Sequence, residues 1–316
     1  METTSNQTNI NHDLWNRYKP QPVEIKNGSV HDHYEILEEL GSGAFGQVYR
    51  CRELSTGKIF VAKFIDTPHQ VDKNVVKHEI DTLNHLHHPK LLNLHDAFDD
   101  KDEMCLIMEF LSGGELFDRI TEDGYNMNEA EAANYIRQVC DGLKFMHDEG
   151  YIHLDLKPEN IMCETSNSNR IKIIDFGLST KLNPDEPVKV TTATAEFAAP
   201  EVAEIEPVGF YTDMWAVGVL SYVLLSGLSP FGGDDDYETL QNVKKCAYDF
   251  NDDIFKNVSD DAKDFIRKLL IRQPQKRMTV YECLDHPWLI KAYEGQTKKI
   301  PSSRYEKVRQ RMHDRI

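Results

Sequence analysis

The chain has no long hydrophobic run, no paired cysteines and no excess of basic charge. Its most apolar stretch, Met214 to Leu225, is shorter than the roughly 20 residues that span a bilayer, so it predicts a buried core helix. The six cysteines lie far apart without a Cys-x-x-Cys pair, and the polar N-terminus has no signal-peptide core. Reduced thiols and a cytoplasmic location are therefore expected.

The charge balance limits the classes of partner. A net charge of -17 argues against non-specific binding to nucleic acid or to an anionic membrane, and it suits basic partners instead. A length of 316 residues with 40% hydrophobic residues fits two lobes, or one domain of about 250 residues with flanking arms.

The front of the chain indicates an arm followed by a small sheet. Residues 1–33 are expected to be an arm or linker, because Pro20 and Pro22 interrupt any helix. One helix is expected over 72–87, with apolar residues at helical spacing, namely Val75, Val76, Ile80, Leu83 and Leu86. Strand-like runs surround it at 34–40, 47–52, 58–65, 92–98 and 103–110.

Ser112-Gly113-Gly114 indicates a flexible joint, and helical patterns dominate after it. The expected helices are 128–148, 211–225, 237–246, 260–270 and 280–284. The pattern predicts an α+β chain with a sheet-rich front half, a helical back half and a cleft at the joint, near residues 110–115.

A glycine-rich segment between two predicted strands is the first candidate site. It reads Gly41-Ser42-Gly43-Ala44-Phe45-Gly46-Gln47-Val48, and its glycines let backbone N–H groups approach anionic oxygens. Alone, this pattern is as typical of a tight hairpin as of a nucleotide loop, and it opens no helix, which disfavours a Rossmann site. Lys63 decides between these readings. It could be a solvent-facing strand lysine, but its strand directly follows the hairpin, so it can reach a phosphate there, with Glu79 as its ionic partner.

The run from His153 to Asn160, followed by Asp175-Phe176-Gly177, is the second candidate site. Asp155 can accept the proton of a substrate hydroxyl, and Lys157 can neutralise charge on a moving phosphoryl group. Asn160 and Asp175 supply the oxygen ligands that suit Mg²⁺. The alternative is an ordinary polar loop with a simple turn after it.

Residues 34–288 resemble the protein kinase family, since these motifs and Ala199-Pro200-Glu201 occur in the family's order. The resemblance implies an N-lobe over 34–110 with a small antiparallel sheet and one main helix, a larger helical C-lobe over 115–288, and use of ATP with Mg²⁺. It also implies a Lys63–Glu79 ion pair, catalytic Asp155 and metal ligands Asn160 and Asp175. The adenine would lie between Val48, Ala62 and Met162, with a hinge from Glu109 to Leu111. The structural residues implied are a Glu201–Arg277 pair and an Asp213 that supports the catalytic loop.

Finer features resemble one branch of the family. Lys157 with Thr194 is similar to the serine/threonine branch, and Leu154 with the run from Leu224 to Phe231 is similar to myosin-light-chain and giant muscle kinases of the twitchin type. This implies that Glu115 and Glu159 bind basic substrates, although either could be an ordinary helix-start or surface carboxylate. It also implies sarcomeric partners and a sarcomere-associated location.

Leu154 stands where most kinases have an arginine that pairs with a phosphate on the activation loop. Leucine has neither charge nor donor, so we predict that Thr191, Thr192 and Thr194 are not activating phosphosites. We expect Thr194 to contact the catalytic loop instead.

Residues 289–316 form a basic tail with an apolar stripe. Its basic residues are Lys298, Lys299, Arg304, Lys307, Arg309, Arg311 and Arg315, and its stripe is Tyr305, Val308, Met312 and Ile316. A solvated terminal helix would show the same pattern. The resemblance implies the start of an autoinhibitory tail that binds a calmodulin-type calcium sensor, and it implies that the chain is a fragment of a larger protein.

A protein of another class would also fit part of this pattern, namely a pseudokinase scaffold or force-sensing module with little turnover. The intact set of Lys63, Asp155, Asn160 and Asp175 favours the enzyme, because a scaffold does not require it.

Overall fold

The computed structural model describes residues 22–43, 46–122, 124–250, 252–291 and 300–313. Contacts divide the chain into two compact units. Of the described residues, the first unit contains those up to 87 together with 93–109, and the second contains 88–92 and those from 110 onward.

The first unit is a six-stranded sheet with one long helix. Its strands are β1 (Ile25–Asn27), β2 (Tyr34–Gly43), β3 (Gly46–Glu53), β4 (Ile59–Asp66), β5 (Leu94–Asp100) and β6 (Glu103–Glu109), in the order β1-β5-β6-β4-β3-β2. The neighbours from β2 to β6 pair antiparallel, as predicted. β1 pairs parallel with β5, so part of the segment expected as an arm is an edge strand of this sheet.

Helix α1 (Gln70–His85) follows β4. Val76, Ile80 and Leu83 are buried, as the periodicity predicts. Val75 was placed on the same apolar face, and this was wrong, because its side chain is 61% exposed. Neighbouring helical residues point about 100° apart, so Val75 and Val76 cannot both face the middle of one stripe.

The second unit is mainly helical. Its helices are α2 (Leu116–Thr121), α3 (Glu129–Asp148), α4 (Pro200–Ala203), α5 (Phe210–Ser226), α6 (Asp236–Lys245), α7 (Asp252–Phe255), α8 (Asp260–Leu269), α9 (Val280–Leu284), α10 (Pro287–Ile290) and α11 (Glu306–His313). α5 contains the most apolar stretch of the chain, and every residue from Met214 to Leu225 is buried, as predicted. It ends at Ser226 and is capped by Gly227, whose φ of +71° is the left-handed conformation that glycine adopts readily.

Short strand pairs shape the loops of the second unit. The strands are β7 (Asn126–Met127), β8 (Tyr151–Ile152), β9 (Ile161–Cys163), β10 (Ile171–Ile173), β11 (Thr180–Lys181) and β12 (Ile300–Pro301). They pair antiparallel as β9 with β10, β8 with β11, and β7 with β12. The last pair joins the C-terminal tail to the body of this unit.

Residues 88–92 pack with the second unit, although the sequence suggested that a front-half strand began at Leu92. Leu91 forms a parallel bridge with Ile173, and the Lys90 ammonium donates to the Gln138 side chain at 2.6 Å. Among the described residues, no helix is long and apolar enough to cross a membrane.

Candidate active site

The predicted glycine loop is the tight hairpin between β2 and β3. Gly41 lies opposite Val48, Ser42 opposite Gln47, and Gly43 opposite Gly46. Gly46 has a φ of +111°, and a Cβ built there would lie 1.9 Å from the Phe64 carbonyl oxygen, so this position requires glycine. The predicted loop residues Ala44 and Phe45 lie outside the described residues.

Lys63 lies on β4, next to Val48 in the β3–β4 register. Its Nζ donates to Glu79 Oε1 on α1 at 3.0 Å, and the two side chains are only 12% and 11% exposed. A charge pair shielded from water in this way is stronger than a surface pair. The predicted partnership of Lys63 and Glu79 is therefore present.

The residues predicted to surround the adenine occur in both units. In the first unit, Ala62 is fully buried and Val48 is partly buried. Glu109 ends β6, and its Oε1 accepts hydrogen bonds from the backbone and side-chain nitrogens of Asn93, each at 2.8 Å. In the second unit, Leu111 is buried and Met162 lies in the middle of β9.

The three polar residues of the catalytic loop interlock. Asp155 Oδ2 accepts from Lys157 Nζ at 2.9 Å and from the Asn160 amide at 3.0 Å. The same Asn160 nitrogen donates to the Asp155 backbone carbonyl at 2.8 Å. Lys157 Nζ also lies 3.3 Å from Thr194 Oγ1, which confirms the expected contact of Thr194 with this loop.

A buried carboxylate holds the start of this loop. Asp213 on α5 accepts from the backbone N–H of His153 at 3.0 Å and from that of Leu154 at 2.9 Å. Leu154 has a φ of +70°, a conformation that costs a non-glycine residue of order 1–3 kcal/mol and needs such support. Burial raises the pKa of Asp213, but its hydrogen bond to His147 and the two nearby histidines outweigh this effect and lower the pKa.

The backbone just before Asp175 lies beside that of Asn160, because the Ile174 N–H donates to the Asn160 carbonyl oxygen at 2.9 Å. Asp175 Oδ1 accepts from the Gly177 N–H at 3.1 Å, and Asp175 has a φ of +61°. The Asn160 nitrogen is already engaged with Asp155, so Oδ1 is the amide atom left for a cation. One carboxylate and one amide oxygen fit Mg²⁺, which completes its shell with water and substrate phosphates.

Glu115 and Glu159, the predicted contacts to basic substrates, influence each other electrostatically. Glu115 precedes α2, and burial raises its pKa to about 7, with the negative charges of Asp118 and Glu159 adding to the rise. The positive charge of Arg309 acts in the opposite direction. These carboxylates therefore form an acidic cluster that a cation would stabilise.

The C-terminal tail supplies a cation beside this cluster. Arg309 on α11 pairs with Asp118 and donates to Thr121 Oγ1 at 3.2 Å, and both partners lie on α2. Tyr305 is fully buried and donates to the Leu224 carbonyl oxygen at 2.8 Å, and Val308 is 2% exposed. The predicted stripe is confirmed for these two residues.

The remaining residues named in the predicted tail lie outside the part of the chain that the structure describes, wholly or by their side chains. These are Lys298, Lys299, Arg315 and Ile316, together with the side chains of Lys307, Arg311 and Met312.

The predicted Glu201–Arg277 pair is buried and bidentate. The two guanidinium nitrogens lie 2.7 and 2.8 Å from the two Glu201 oxygens, and the side chains are 2% exposed or less. Arg277 also donates to the Tyr211 and Ile271 carbonyl oxygens, at 2.9 and 2.8 Å. Such a fully satisfied pair ties α4 to the start of α5.

Sequence reasoning missed His147, whose Nε2 lies 2.8 Å from Asp213 Oδ2. The available signal was a histidine one position after Met146, on the apolar face of α3. It also missed Asp118 as the partner of Arg309. Nothing in the sequence signals this pairing, because Asp118 is an isolated surface carboxylate.

The chain is similar in sequence to a known family and to several known proteins. The family model described as protein kinase domain matches residues 34–289. A titin homolog of Caenorhabditis elegans is 52% identical over 276 residues, which cover 85% of this chain and 2% of that protein. Smooth-muscle myosin light chain kinase of Gallus gallus is 47% identical over 279 residues, which cover 88% of this chain and 15% of that protein.

A solved structure has the same fold. It is a twitchin kinase fragment of Caenorhabditis elegans, described as an autoregulated protein kinase with immunoglobulin domains. Its TM-score is 0.90 at 58% identity, and the match covers 95% of this chain and 68% of that one. The chain spans only a small part of the titin homolog and of the smooth-muscle myosin light chain kinase, 2% and 15% of their lengths.

Proposed function

The chain belongs to the protein kinase family, in the group that contains titin, twitchin and myosin light chain kinases, and we propose that it phosphorylates serine or threonine. Its fold is α+β, with the β-sheet N-lobe and helical C-lobe of that family. The catalytic domain corresponds to residues 34–288, with a regulatory tail over 289–316.

The observation that carries this proposal is the interlocked catalytic loop. Two donors hold Asp155 Oδ2, namely Lys157 Nζ at 2.9 Å and the Asn160 amide at 3.0 Å. The carboxylate is therefore fixed, and we assign Oδ1 as the oxygen that accepts the proton of the substrate hydroxyl. A scaffold without turnover would not require this orientation.

Each remaining residue has one task in this mechanism. When bound, Mg-ATP supplies the phosphoryl group and the charge of the cation. Lys63, fixed by Glu79, binds phosphate oxygens, and the hairpin N–H groups around Gly43 bind anionic oxygens. Lys157 stabilises negative charge on the transferred group, and Asn160 and Asp175 hold the cation.

The test is steady-state phosphate transfer from Mg-ATP to a serine peptide with arginines before the serine. Asp155→Asn keeps the shape of the side chain but removes the base, so kcat should fall by at least about a hundredfold. Asp234→Asn makes the same charge change in an exposed loop and should leave kcat unchanged. Equal loss in both variants, or no loss in Asp155→Asn, would contradict the assignment.

We further propose that the tail inhibits the kinase by occupying the site for basic substrates. Support comes from Arg309, whose guanidinium pairs with Asp118 and lowers the pKa of Glu115. A substrate arginine would compete for the same acidic cluster, formed by Glu115, Asp118 and Glu159.

Two changes test tail inhibition separately. Ending the chain at Lys291 removes the tail, and Arg309→Ala removes one charge from the complete chain. Measured at about pH 8, where Glu115 is ionised, both changes should lower KM for the arginine peptide, and the shorter chain should lower it more because it lacks the whole tail. Equal kinetics in all three proteins would count against inhibition by the tail.

The partners follow from the tail and from the relatives. A basic segment with the apolar residues Tyr305 and Val308 on one face is a target for a calmodulin-type calcium sensor. We propose muscle proteins, including myosin light chains, as substrates and a sarcomere-associated, cytoplasmic location, because relatives bear the names titin and myosin light chain kinase. A tail peptide that showed no calcium-dependent binding to calmodulin would overturn the first of these proposals.

A further inference from the structure

The segment 22–28 is bound along the edge of the first unit. β1 pairs with β5 over Ile25 to Asn27, and the Gly28 N–H donates to the Asp99 carbonyl oxygen at 3.1 Å. Lys26 Nζ lies 2.5 Å from Asp96 Oδ2, whose side chain is only 10% exposed. Shortly after β1, Val30 is buried in the core of this unit. The segment is therefore held at several points.

One further contact joins this segment to helix α1. Asn84, in the last turn of α1, accepts from the Val23 N–H at 2.8 Å and donates to the Val23 carbonyl oxygen at 3.0 Å. A carboxamide carries a donor and an acceptor in one plane, so Asn84 pairs with Val23 as a neighbouring strand would. Two bonds to the backbone of one residue, Val23, restrain both the position and the rotation of the helix end.

The same helix carries Glu79, the partner of Lys63. An α-helix moves as a rigid element over such a distance, so a rotation at Asn84 changes the position of Glu79. A second tether of α1 reaches the same edge, since Lys73 Nζ lies 2.5 Å from Asp99 Oδ1 on β5. Asn27 of β1 lies opposite Asp99 in the sheet. Both tethers of α1 therefore run to the β1–β5 edge.

We propose that residues 22–28 are a positioning strap for α1, and that the Asn84–Val23 contact sets the helix position in which Glu79 holds Lys63. Neither Asn84 nor Val23 touches the reacting groups, so both are positioning residues. This inference rests on the proposed function through the role given to Lys63. Loss of the strap lowers the affinity for ATP and leaves the affinity for peptide substrate unchanged.

The test uses two disruptive variants and two matched controls. Asn84→Ala removes both hydrogen bonds, and Val23→Pro removes only the N–H donor. Val23→Ala keeps both backbone bonds, and Asn74→Ala truncates an exposed asparagine of the same helix whose side chain bonds to Gln70. Asn84→Ala should raise KM for ATP about five- to tenfold, as expected for two net hydrogen bonds, and Val23→Pro should raise it less. Both controls should remain within about twofold of the unchanged chain.

Two readouts do not depend on turnover. Backbone amides of α1 should exchange faster with deuterium in Asn84→Ala and Val23→Pro than in the controls. The affinity for a non-hydrolysable ATP analogue should fall by the same factor as KM for ATP rises. Asn84→Ala and Val23→Pro disrupt the same interaction. The variant that carries both changes should therefore bind the ATP analogue no more weakly than Asn84→Ala alone.

The outcomes separate this inference from the proposed function. If the unchanged chain transfers no phosphate while exchange and analogue affinity respond as expected, the proposed function fails and the strap stands. If Asn84→Ala matches Asn74→Ala in exchange and analogue affinity, the strap is overturned. Equal rises in KM for ATP and for peptide would also overturn it, because they would indicate general destabilisation.

Discussion

Glu115 should change its charge close to neutral pH, which makes recognition of basic substrates pH-dependent. Burial raises its pKa to about 7, and the charges of Asp118 and Glu159 add to this effect. The carboxyl group is then about nine-tenths protonated at about pH 6 and about nine-tenths ionised at about pH 8. Only the ionised form pairs with a substrate arginine, so binding should strengthen as the pH rises.

The magnitude follows from a single charge-assisted hydrogen bond. Such a bond contributes about 1.5 kcal/mol or more, so KM for an arginine-containing peptide should fall by up to about tenfold between about pH 6 and about pH 8. Arg309 lowers the pKa of Glu115, so Arg309→Ala should move the midpoint of this change to higher pH.

The assay is the initial rate of peptide phosphorylation across this pH range, with a serine peptide in two forms, with and without the arginines. Glu115→Gln is uncharged at every pH, so its KM should be high and flat. The peptide without arginine should also give a flat profile with the unchanged chain. An equal KM at both ends of the range for the unchanged chain, or the same slope in Glu115→Gln, would refute the reasoning.

Three other changes probe the fold and its control. Arg277→Ala leaves the Glu201 carboxylate buried and unpaired, so the free energy of unfolding in urea should fall by about 3–5 kcal/mol, and a loss below about 1 kcal/mol would argue against a buried pair. Gly46→Ala places a Cβ 1.9 Å from a β4 carbonyl oxygen and should weaken ATP binding, whereas unchanged affinity would mean that the hairpin adjusts at no cost. Replacing Thr191 and Thr192 together by alanine should leave kcat/KM within about twofold, and abolished activity in folded protein would contradict this.

The residues nearest the proposed chemistry were predictable because they are close together in the chain. Asp155, Lys157 and Asn160 lie within six positions, and their interlocking bonds need only one loop. The main helices were also predictable, because apolar spacing repeats over several turns. Val75 shows the limit of that signal, since a single apolar residue beside the stripe is indistinguishable from a member of it.

Hydrogen bonds and ion pairs between single residues far apart in the chain were not predictable. Asn84 binds Val23 across 61 positions, and Arg309 binds Asp118 across 191. Neither pair belongs to a periodic pattern, and the polar side chains of Asn84, Asp118 and Arg309 are each typical of a solvated surface. Their partners depend on how the sheet edge and the tail fold back, which no local pattern encodes.

The most direct test of the central claim is mass spectrometry of a serine peptide after incubation with Mg-ATP and the chain ending at Lys291, beside its Asp155→Asn variant. Both proteins should bind ATP, measured independently by calorimetry. The account predicts phosphoserine with the unchanged catalytic loop and at least about a hundredfold less with Asp155→Asn. Equal phosphorylation by both, or none by either despite bound ATP, would contradict it.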